Sequence, residues 1–277
     1  MKVGLWTIEE EKKFFNNFLT AGVDIAKLMY RVNGKYMAYY PKDYNGTKDT
    51  MQSRNSYIGD YTESWFANIL QHLPVIKQRK LKVEIGYKDD EVLSALSPVD
   101  VAILSDDREL VLIFEVKMSI VNNYCYVDGN IQWCGDMTEH TGNPGLHRSD
   151  SVLKAIAKVL SIHAREFLLA RRSVPIIVVT NAPPAPLSAE RLEMSYRVGA
   201  IQGVWNVGFD DGSYFEGYRH VTSLEDINNL VKYLVEKKGY FFSGYKTSDE
   251  LKNIILEAVN GPDDKIVERF LQSIRGE

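Results

Sequence analysis

The sequence predicts an α/β fold in which helices flank one central mixed β-sheet. Residues 110–117 form a short apolar run rich in Val, Leu and Ile, which is typical of a buried strand. Similar runs cover residues 99–104 and 174–180. Longer segments at 57–72 and 150–170 place apolar residues at helical spacing. Strands interleaved with helices in this way favour a sheet that is covered by helices.

The predicted elements follow one another without a clear domain boundary. A capping box at Thr7 and Glu10 opens a first helix, which we expect to extend to about Arg31, where Asn33-Gly34 stops it. Residues 35–55 are predicted to be a loop. The remaining predicted elements are a helix at 57–72 ended by Pro74, strands at 81–87, 99–104 and 110–117, a hairpin, a helix at 150–170, a strand at 174–180, a helix at 188–197, a strand at 202–209, and helices at 224–237, 249–259 and 263–274. We therefore expect one domain over residues 1–277, with a core at about 57–210 and a helical C-terminal extension at about 222–277.

A β-hairpin is predicted between the strand at 110–117 and the helix at 150–170. Asp128-Gly129 is a strong signal for a two-residue turn, and it pairs Tyr124 with Trp133 across the hairpin. In this register Cys125 and Cys134 are diagonal neighbours, so we expect them to be too far apart for an unstrained disulfide. The spacing of the cysteines and nearby histidines matches no tight zinc knuckle, and no zinc site is predicted.

Composition limits the class of protein. The chain has 277 residues, of which 45% are hydrophobic and 25% charged, as in ordinary soluble globular proteins. Its net charge of −4 means that binding to nucleic acid would need a local basic surface. No apolar run is long enough to cross a bilayer, and the N-terminus has no apolar signal core. Since two cysteines suit a reducing cytosol, we expect a cytoplasmic protein without a membrane partner.

The buried run at 110–117 ends in charged residues. Glu115 and Lys117 share one side of the strand, because side chains alternate between its faces. An acid and a base at such a position are costly to desolvate unless they have a use. Asp100 supplies a second carboxylate at the start of the neighbouring run. Carboxylates on adjacent strands predict a site for a divalent metal, and the alternative is a solvent-exposed Glu–Lys pair at a strand end.

These residues resemble the active-site motif of the PD-(D/E)XK nuclease superfamily, in which an Asp lies on the second core strand and a Glu-x-Lys on the third. The superfamily shares an α-β-β-β-α-β core, and the elements predicted over residues 57–181, about half of the chain, come in the same order. One departure is that Val99 separates Pro98 from Asp100. The resemblance implies a restriction-endonuclease-like core that carries the hairpin and the C-terminal helices as additions.

The resemblance also implies a Mg²⁺ cofactor and a role for each residue of the motif. Asp100 and Glu115 would bind the metal together with the backbone carbonyl of Val116. Lys117 would orient or deprotonate the attacking water and offset the charge of the phosphate. Glu63, on the helix before the strands, would be a further metal ligand; alternatively, it is a first-turn Glu favoured by the helix dipole. A Mg²⁺ ion that keeps several waters suits phosphodiester hydrolysis.

Polar residues outside the motif are candidates for contact with DNA. Arg148 and Lys154 lie near the start of the helix at 150–170, where phosphate groups are favoured. We interpret Lys158 and Arg165, further along that helix, as members of its solvent-exposed face. Side chains that can read base edges are Asn130 and Gln132 in the hairpin and Asn143 and His147 in the following loop. Alternatively, the hairpin only packs its aromatic face against the core.

Within the superfamily, the added elements and the mild acidity favour a type II restriction endonuclease. Such an enzyme would bind double-stranded DNA as a homodimer, because two active sites are needed to cut both strands of a palindrome. The alternatives are a structure-specific or repair nuclease of the same fold and a DNA-binding module without catalysis. The complete set of Asp100, Glu115 and Lys117 argues against the last alternative.

Overall fold

The computed structural model describes residues 4–49, 51–88, 98–168, 174–210, 212 and 215–236, with six single positions between 253 and 265. The helices are α1 (Ile8–Thr20), α2 (Gln52–His72), α3 (Pro74–Gln78), α4 (Ser149–Leu168), α5 (Pro186–Arg197) and α6 (Leu224–Glu236). The strands are β1 (Tyr30–Val32), β2 (Lys35–Met37), β3 (Lys82–Tyr87), β4 (Val99–Leu104), β5 (Leu110–Val116), β6 (Asn123–Val127), β7 (Asn130–Gly135), β8 (Ile176–Thr180), β9 (Gly203–Asn206) and β10 (Tyr218–His220). Over these residues, no helix combines the length and the hydropathy needed to cross a membrane.

Six strands form the central sheet, in the order β10-β9-β8-β5-β4-β3. The strands β3, β4 and β5 pair antiparallel, whereas β5, β8, β9 and β10 pair parallel. A parallel pair needs a crossover connection, and α4 provides it between β5 and β8. The predicted α/β class with a mixed sheet is therefore confirmed. The predicted succession of helix, three strands, helix and strand is also observed, as α2-β3-β4-β5-α4-β8, with the short helix α3 after α2 and the hairpin strands β6 and β7 before α4.

The two faces of the central sheet pack against different helices. Phe114 of β5 faces α2, and its ring centroid lies 5.1 Å from that of Phe66. Ile113, the preceding residue, belongs to a separate core cluster that contains Val159 of α4. Because side chains alternate along a strand, Glu115 shares the face of Ile113, which α4 covers.

The N-terminal segment differs from the prediction. The first helix ends at Thr20, because Gly22 takes a positive φ of 84° and redirects the chain. Asn33-Gly34 does not stop a helix; it forms the turn of a hairpin between β1 and β2, with φ values of 50° and 82°. The predicted loop at 35–55 contains β2 and the first turn of α2, which begins at Gln52.

The predicted hairpin is confirmed as β6 and β7. Tyr124 pairs with Trp133, and Asp128 and Gly129 form the turn with φ values of 49° and 84°. However, Tyr126 also pairs with Tyr36 of β2, so the hairpin belongs to a second, antiparallel sheet in the order β1-β2-β6-β7. The expectation of a single sheet was wrong, because β1 and β2 were not predicted.

The expectation for the cysteines was also wrong. Cys125 and Cys134 form a disulfide, with their Cα atoms 6.0 Å apart. The ladder between β6 and β7 shifts its register between Asn123 and Tyr124, so that Asn123 pairs with Gly135. A bulge of this kind places one extra residue in one of the two strands. Here the extra residue is Cys134 of β7, which has no partner residue in the ladder with β6.

The last part of the described chain completes the central sheet. The predicted helices and strands near 188–197, 202–209 and 224–237 correspond to α5, β9 and α6. The edge strand β10 was not predicted, because three residues carry too little periodicity. The predicted helices at 249–259 and 263–274 lie outside the described residues, apart from the single positions.

Candidate active site

Strand pairing places Asp100 and Glu115 side by side. Val101 of β4 lies opposite Phe114 of β5, so the next pair toward the end of β5 is Asp100 with Glu115. Only 1% of the Glu115 side chain and 13% of the Asp100 side chain are exposed. Like charges directly opposite each other destabilise a sheet, so this pair requires cations.

Lys117 provides the first cation. Its Nζ atom lies 2.8 Å from Asp100 Oδ2 and 2.9 Å from Glu115 Oε2. The same ammonium donates to the carbonyl oxygen of Val116 at 3.2 Å, and the Val116 amide donates to Asp100 Oδ2 at 2.8 Å. The residues of the sequence motif therefore meet in one contact cluster at the end of β5.

Lys158 of α4 provides the second cation. Its Nζ atom lies 3.0 Å from Asp100 Oδ1 and also contacts Glu115 Oε1 as an ion pair. With 16% of its side chain exposed, Lys158 is not on a solvent-exposed face, and that interpretation of the sequence was wrong. Each carboxylate thus touches both ammonium groups, one on each oxygen.

The error came from the orientation of α4. The apolar residues of the helix predicted at 150–170 include Leu153 and Leu160, yet these two side chains are 50% and 39% exposed. The buried stripe instead contains Val152, Ala155, Val159 and Ile162. Lys158 lies three residues after Ala155 and four before Ile162, so this alternative stripe places it on the buried side. That spacing is the signal by which the sequence could have revealed Lys158.

The pKa values of the Asp100 and Glu115 carboxyl groups are shifted in opposite directions. Burial would raise the pKa of Asp100, but the charges of Lys117 and Lys158 outweigh it and hold that pKa below its ordinary value. Burial dominates at Glu115 and raises its pKa.

The pKa of Lys117 is raised, whereas a lysine that acts as a general base has a lowered pKa. Burial disfavours its charged form, but Glu115 and Asp100 overcome that effect and raise the pKa of Lys117. Pairing with the two carboxylates thus favours the protonated form of Lys117, which serves in this cluster as a hydrogen-bond donor and a positive charge.

Glu63 lies near this cluster without joining it. It sits more than two turns into α2, which begins at Gln52, so the helix dipole does not account for it. Burial raises the pKa of Glu63 to about 7, and the negative charge of Asp100 adds to the shift. The part of the chain that the structure describes shows no ion pair between Glu63 and Lys117 or Lys158.

The oxygen atoms of the cluster suit a hard cation such as Mg²⁺. Asp100, Glu115 and the Val116 carbonyl supply oxygen donors only, as Mg²⁺ prefers when it keeps several of its waters. Glu115 Oε1 is buried and contacts the Lys158 ammonium, so a metal ion at this oxygen would have to take the place of that ammonium group. Among the described residues, however, no group of three or more His, Cys, Asp or Glu side chains is arranged to hold a metal. Asp100 and Glu115 would supply the carboxylate ligands of a metal here, and Glu63 as a further ligand stays a prediction.

A polar cavity of about 140 Å³ adjoins Lys117. It lies between α2, the end of β5 and the loop before α4, and its lining includes Asn55, Gly59, Ser119 and Arg148. Gly145 closes this loop against Lys117 with a φ of 52°, and a Cβ atom there would lie 2.7 Å from the Lys117 carbonyl oxygen. This close approach requires glycine.

The residues predicted to contact DNA differ in their surroundings and in their position relative to the cavity. Arg148 lines the cavity, although its guanidinium is bound by Asp150, with Nη2 2.8 Å from Oδ2. Lys154 is 78% exposed and lies 3.7 Å from the same carboxylate. His147 donates from Nδ1 to the Pro183 carbonyl at 3.1 Å, which ties the loop to the segment after β8.

The hairpin residues lie elsewhere. Asn130 and Gln132 are exposed on β7 of the small sheet, and the Asn130 amide donates to the Asp128 carbonyl at 3.0 Å. Asn143 is exposed in the loop before α4. The described contacts connect none of these three side chains with the cluster of Asp100, Glu115, Lys117 and Lys158.

A second polar pair fixes α4 beyond Lys158. His163 and Glu166 are buried, with His163 Nδ1 2.9 Å from Glu166 Oε2 and His163 Nε2 2.8 Å from the Ala200 carbonyl oxygen. The Val174 amide donates to Glu166 Oε1 at 2.9 Å. These contacts hold the C-terminal half of α4 to the segments that precede β8 and β9.

Comparison with known proteins leaves the site to be interpreted from its own geometry. No family model, no curated protein and no solved structure matches the chain.

Proposed function

We propose that this protein is a Mg²⁺-dependent endonuclease that hydrolyses phosphodiester bonds of double-stranded DNA. The observation that carries the proposal is the mutual contact of Asp100, Glu115 and Lys117 at the ends of two adjacent antiparallel strands. The sequence alone predicts these three residues as a unit, from the resemblance to the PD-(D/E)XK superfamily. The order α2-β3-β4-β5-α4-β8 supports the same proposal, since it is the order of that superfamily's core.

Each residue of the cluster would have its own role in hydrolysis. Asp100, Glu115 and the Val116 carbonyl would hold Mg²⁺, which when bound neutralises phosphate charge and promotes ionisation of water. Lys117 would orient or deprotonate the attacking water, or donate a hydrogen bond to a phosphate oxygen. Glu115 and Asp100 raise its pKa, and a metal ion bound to these two carboxylates would weaken that effect. Arg148, at the wall of the adjoining cavity, would bind a neighbouring phosphate if DNA replaces Asp150 as its partner.

The finer proposal is a type II restriction endonuclease that cuts a short sequence as a homodimer. It rests on the chain's elements beyond the minimal core, which include the small sheet. A repair or structure-specific nuclease would use the same cluster, so the pattern of DNA products separates the two.

A cleavage assay tests the proposal directly. Plasmid DNA is incubated with the protein and Mg²⁺, with EDTA as a control, and the products are separated on a gel. Asp100→Asn should lower the cleavage rate at least about a thousandfold, because it removes a ligand that acts in the transition state. The matched control is Asp106→Asn, which removes an exposed carboxylate from the turn between β4 and β5 and should cleave like the wild type.

Each outcome has a distinct meaning. Discrete fragments that EDTA abolishes support a sequence-specific enzyme, and a dimer in light scattering supports the homodimer. A smear of fragments supports a nonspecific or repair nuclease. Retarded DNA without cleavage under several metals and salt concentrations would overturn the enzyme and favour a DNA-binding module.

A further inference from the structure

Lys158 gives the cluster a second ammonium group, and its position conflicts with metal binding. Its Nζ atom covers Asp100 Oδ1 and Glu115 Oε1, while Lys117 covers the other oxygen of each carboxylate. Two carboxylates with two ammonium groups are already electrically neutral. A divalent cation therefore cannot simply add to this cluster; it must compete with an ammonium group for oxygen atoms.

The contacts indicate which lysine gives way. Lys117 donates to Asp100, to Glu115 and to the Val116 carbonyl, and its position is fixed by the strand end, since its amide donates to Val179 at 2.7 Å. Lys158 donates to Asp100 Oδ1 and forms an ion pair with Glu115 Oε1, so it contacts two oxygen atoms where Lys117 contacts three. Lys158 has fewer partners than Lys117 and reaches the cluster from α4 through its flexible side chain, so it is the ammonium group that is easier to replace.

We propose that Lys158 is an exchangeable internal cation: it neutralises Asp100 and Glu115 without metal, is displaced by the divalent metal, and then offers its charge to the DNA phosphate. This inference rests on the proposed function for its last step only. Exchange keeps the buried carboxylates paired at all times, which avoids the large penalty of an unpaired buried charge. It also limits metal affinity, because every metal ion must displace a bound ammonium group.

Titration with Mn²⁺ alone tests the exchange without DNA. Lys158→Met should bind Mn²⁺ roughly tenfold more tightly than the wild type in calorimetry, because the competing cation is gone. Without metal the same variant should melt several degrees lower, since the two carboxylates then share one ammonium group. Mn²⁺ should raise its melting temperature more than it raises that of the wild type.

Control variants complete the design. Lys13→Met removes a lysine that forms an exposed ion pair with Glu10 on α1, and it should leave Mn²⁺ affinity and metal-dependent stabilisation unchanged. If Lys158→Met fails to fold, Lys158→Gln keeps most of the side-chain length and should show the same gain in affinity. Equal or weaker Mn²⁺ binding by both Lys158 variants would overturn the exchange.

The DNA assay separates this inference from the proposed function. Lys158→Met that binds Mn²⁺ more tightly but cleaves DNA far more slowly at saturating metal supports both. If the wild type cuts DNA and the Lys158 variants bind Mn²⁺ no better than it does, the exchange is wrong and the nuclease stands. If Mn²⁺ binding tightens but the wild type cuts no DNA, the proposed nuclease is wrong and the exchange of cations stands.

Discussion

Two buried glutamates, Glu11 and Glu115, are stabilised in opposite ways. Glu11 of α1 accepts five hydrogen bonds from neutral donors, and the described contacts include no cation beside it. These donors are the Trp6 indole, the Tyr124 hydroxyl, the Val121 and Asn122 amides and the Asn122 side chain. Glu115 contacts two ammonium groups instead.

The difference separates a structural carboxylate from one that can exchange partners. Three of the five donors of Glu11 come from residues 121 and 122, two of them backbone amides, so the fold itself satisfies this carboxylate and links α1 to the segment before β6. The partners of Glu115 are the ends of two flexible side chains, which another cation can replace without moving the backbone. We therefore interpret Glu11, which accepts hydrogen bonds from neutral donors, as a structural carboxylate, and Glu115, which is paired with lysines, as a candidate binding group.

The largest expected effect on stability comes from Glu11→Ala. The change leaves several buried donors without an acceptor and should lower the free energy of unfolding by about 3–5 kcal/mol. Urea denaturation measures it. Glu115→Gln should lower the same free energy by less than Glu11→Ala does, because Lys117 and Lys158 keep Asp100 as a partner, yet it should abolish Mn²⁺ binding. Equal losses of stability in the two variants would remove the distinction between the two glutamates.

The pH dependence of stability sharpens the comparison. Burial raises the pKa of Glu11 above its ordinary value of 4.5, and the hydrogen bonds from Asn122, Val121 and Trp6 offset this only in part. The folded state therefore holds this proton more tightly than the unfolded state does. The resulting stabilisation is complete below the ordinary pKa and is lost as the pH rises through the raised pKa.

Glu11→Gln makes this dependence measurable. The free energy of unfolding of the wild type, relative to that of the variant, should fall as the pH is raised from about 4 to about 8. Urea denaturation at several pH values gives the difference. A difference that stays constant or grows with pH would contradict the assigned direction.

The smallest expected effect comes from Gly145→Ala beside the candidate active site. The substitution forces Ala into a left-handed backbone conformation and brings its Cβ atom against the Lys117 carbonyl, which should cost about 1–3 kcal/mol. Gly129→Ala is the matched control, because Gly129 also has a positive φ but faces open space. Thermal denaturation should show the larger loss for Gly145→Ala, and a larger loss for Gly129→Ala would contradict the close contact.

The sequence predicted the central sheet well because its strands are apolar runs with clear ends. The runs at 99–104 and 110–117 became β4 and β5 with bounds within one residue, and their register brought Asp100 beside Glu115. The hairpin register followed from the Asp128-Gly129 turn alone. Local signals were sufficient here, since the period of the pattern and the turn chemistry agree.

Other features depend on contacts that local signals do not contain. The three-residue strands β1 and β2 belong to a sheet because β2 pairs with β6 and β1 pairs with β2. The disulfide joins the strands where a bulge shifts the ladder between β6 and β7. Lys158 was missed because the apolar residues of α4 permit two stripes, and the one that includes Leu153 and Leu160 is exposed. The burial of a helix face is decided by the sheet on which it packs, and propensity does not specify it.

The anchoring of α4 has a kinetic consequence. His163 lies little more than one turn beyond Lys158 and Glu166 more than two turns beyond it. They hold the helix through contacts with the Ala200 carbonyl and the Val174 amide. With the helix axis held, Lys158 can leave its carboxylates only by rotation about its own side-chain bonds. Such rotations are orders of magnitude faster than shifts of a whole helix. The rate of metal binding would then be set by the arrival and dehydration of the metal ion, and no slow conformational step of the protein would limit it.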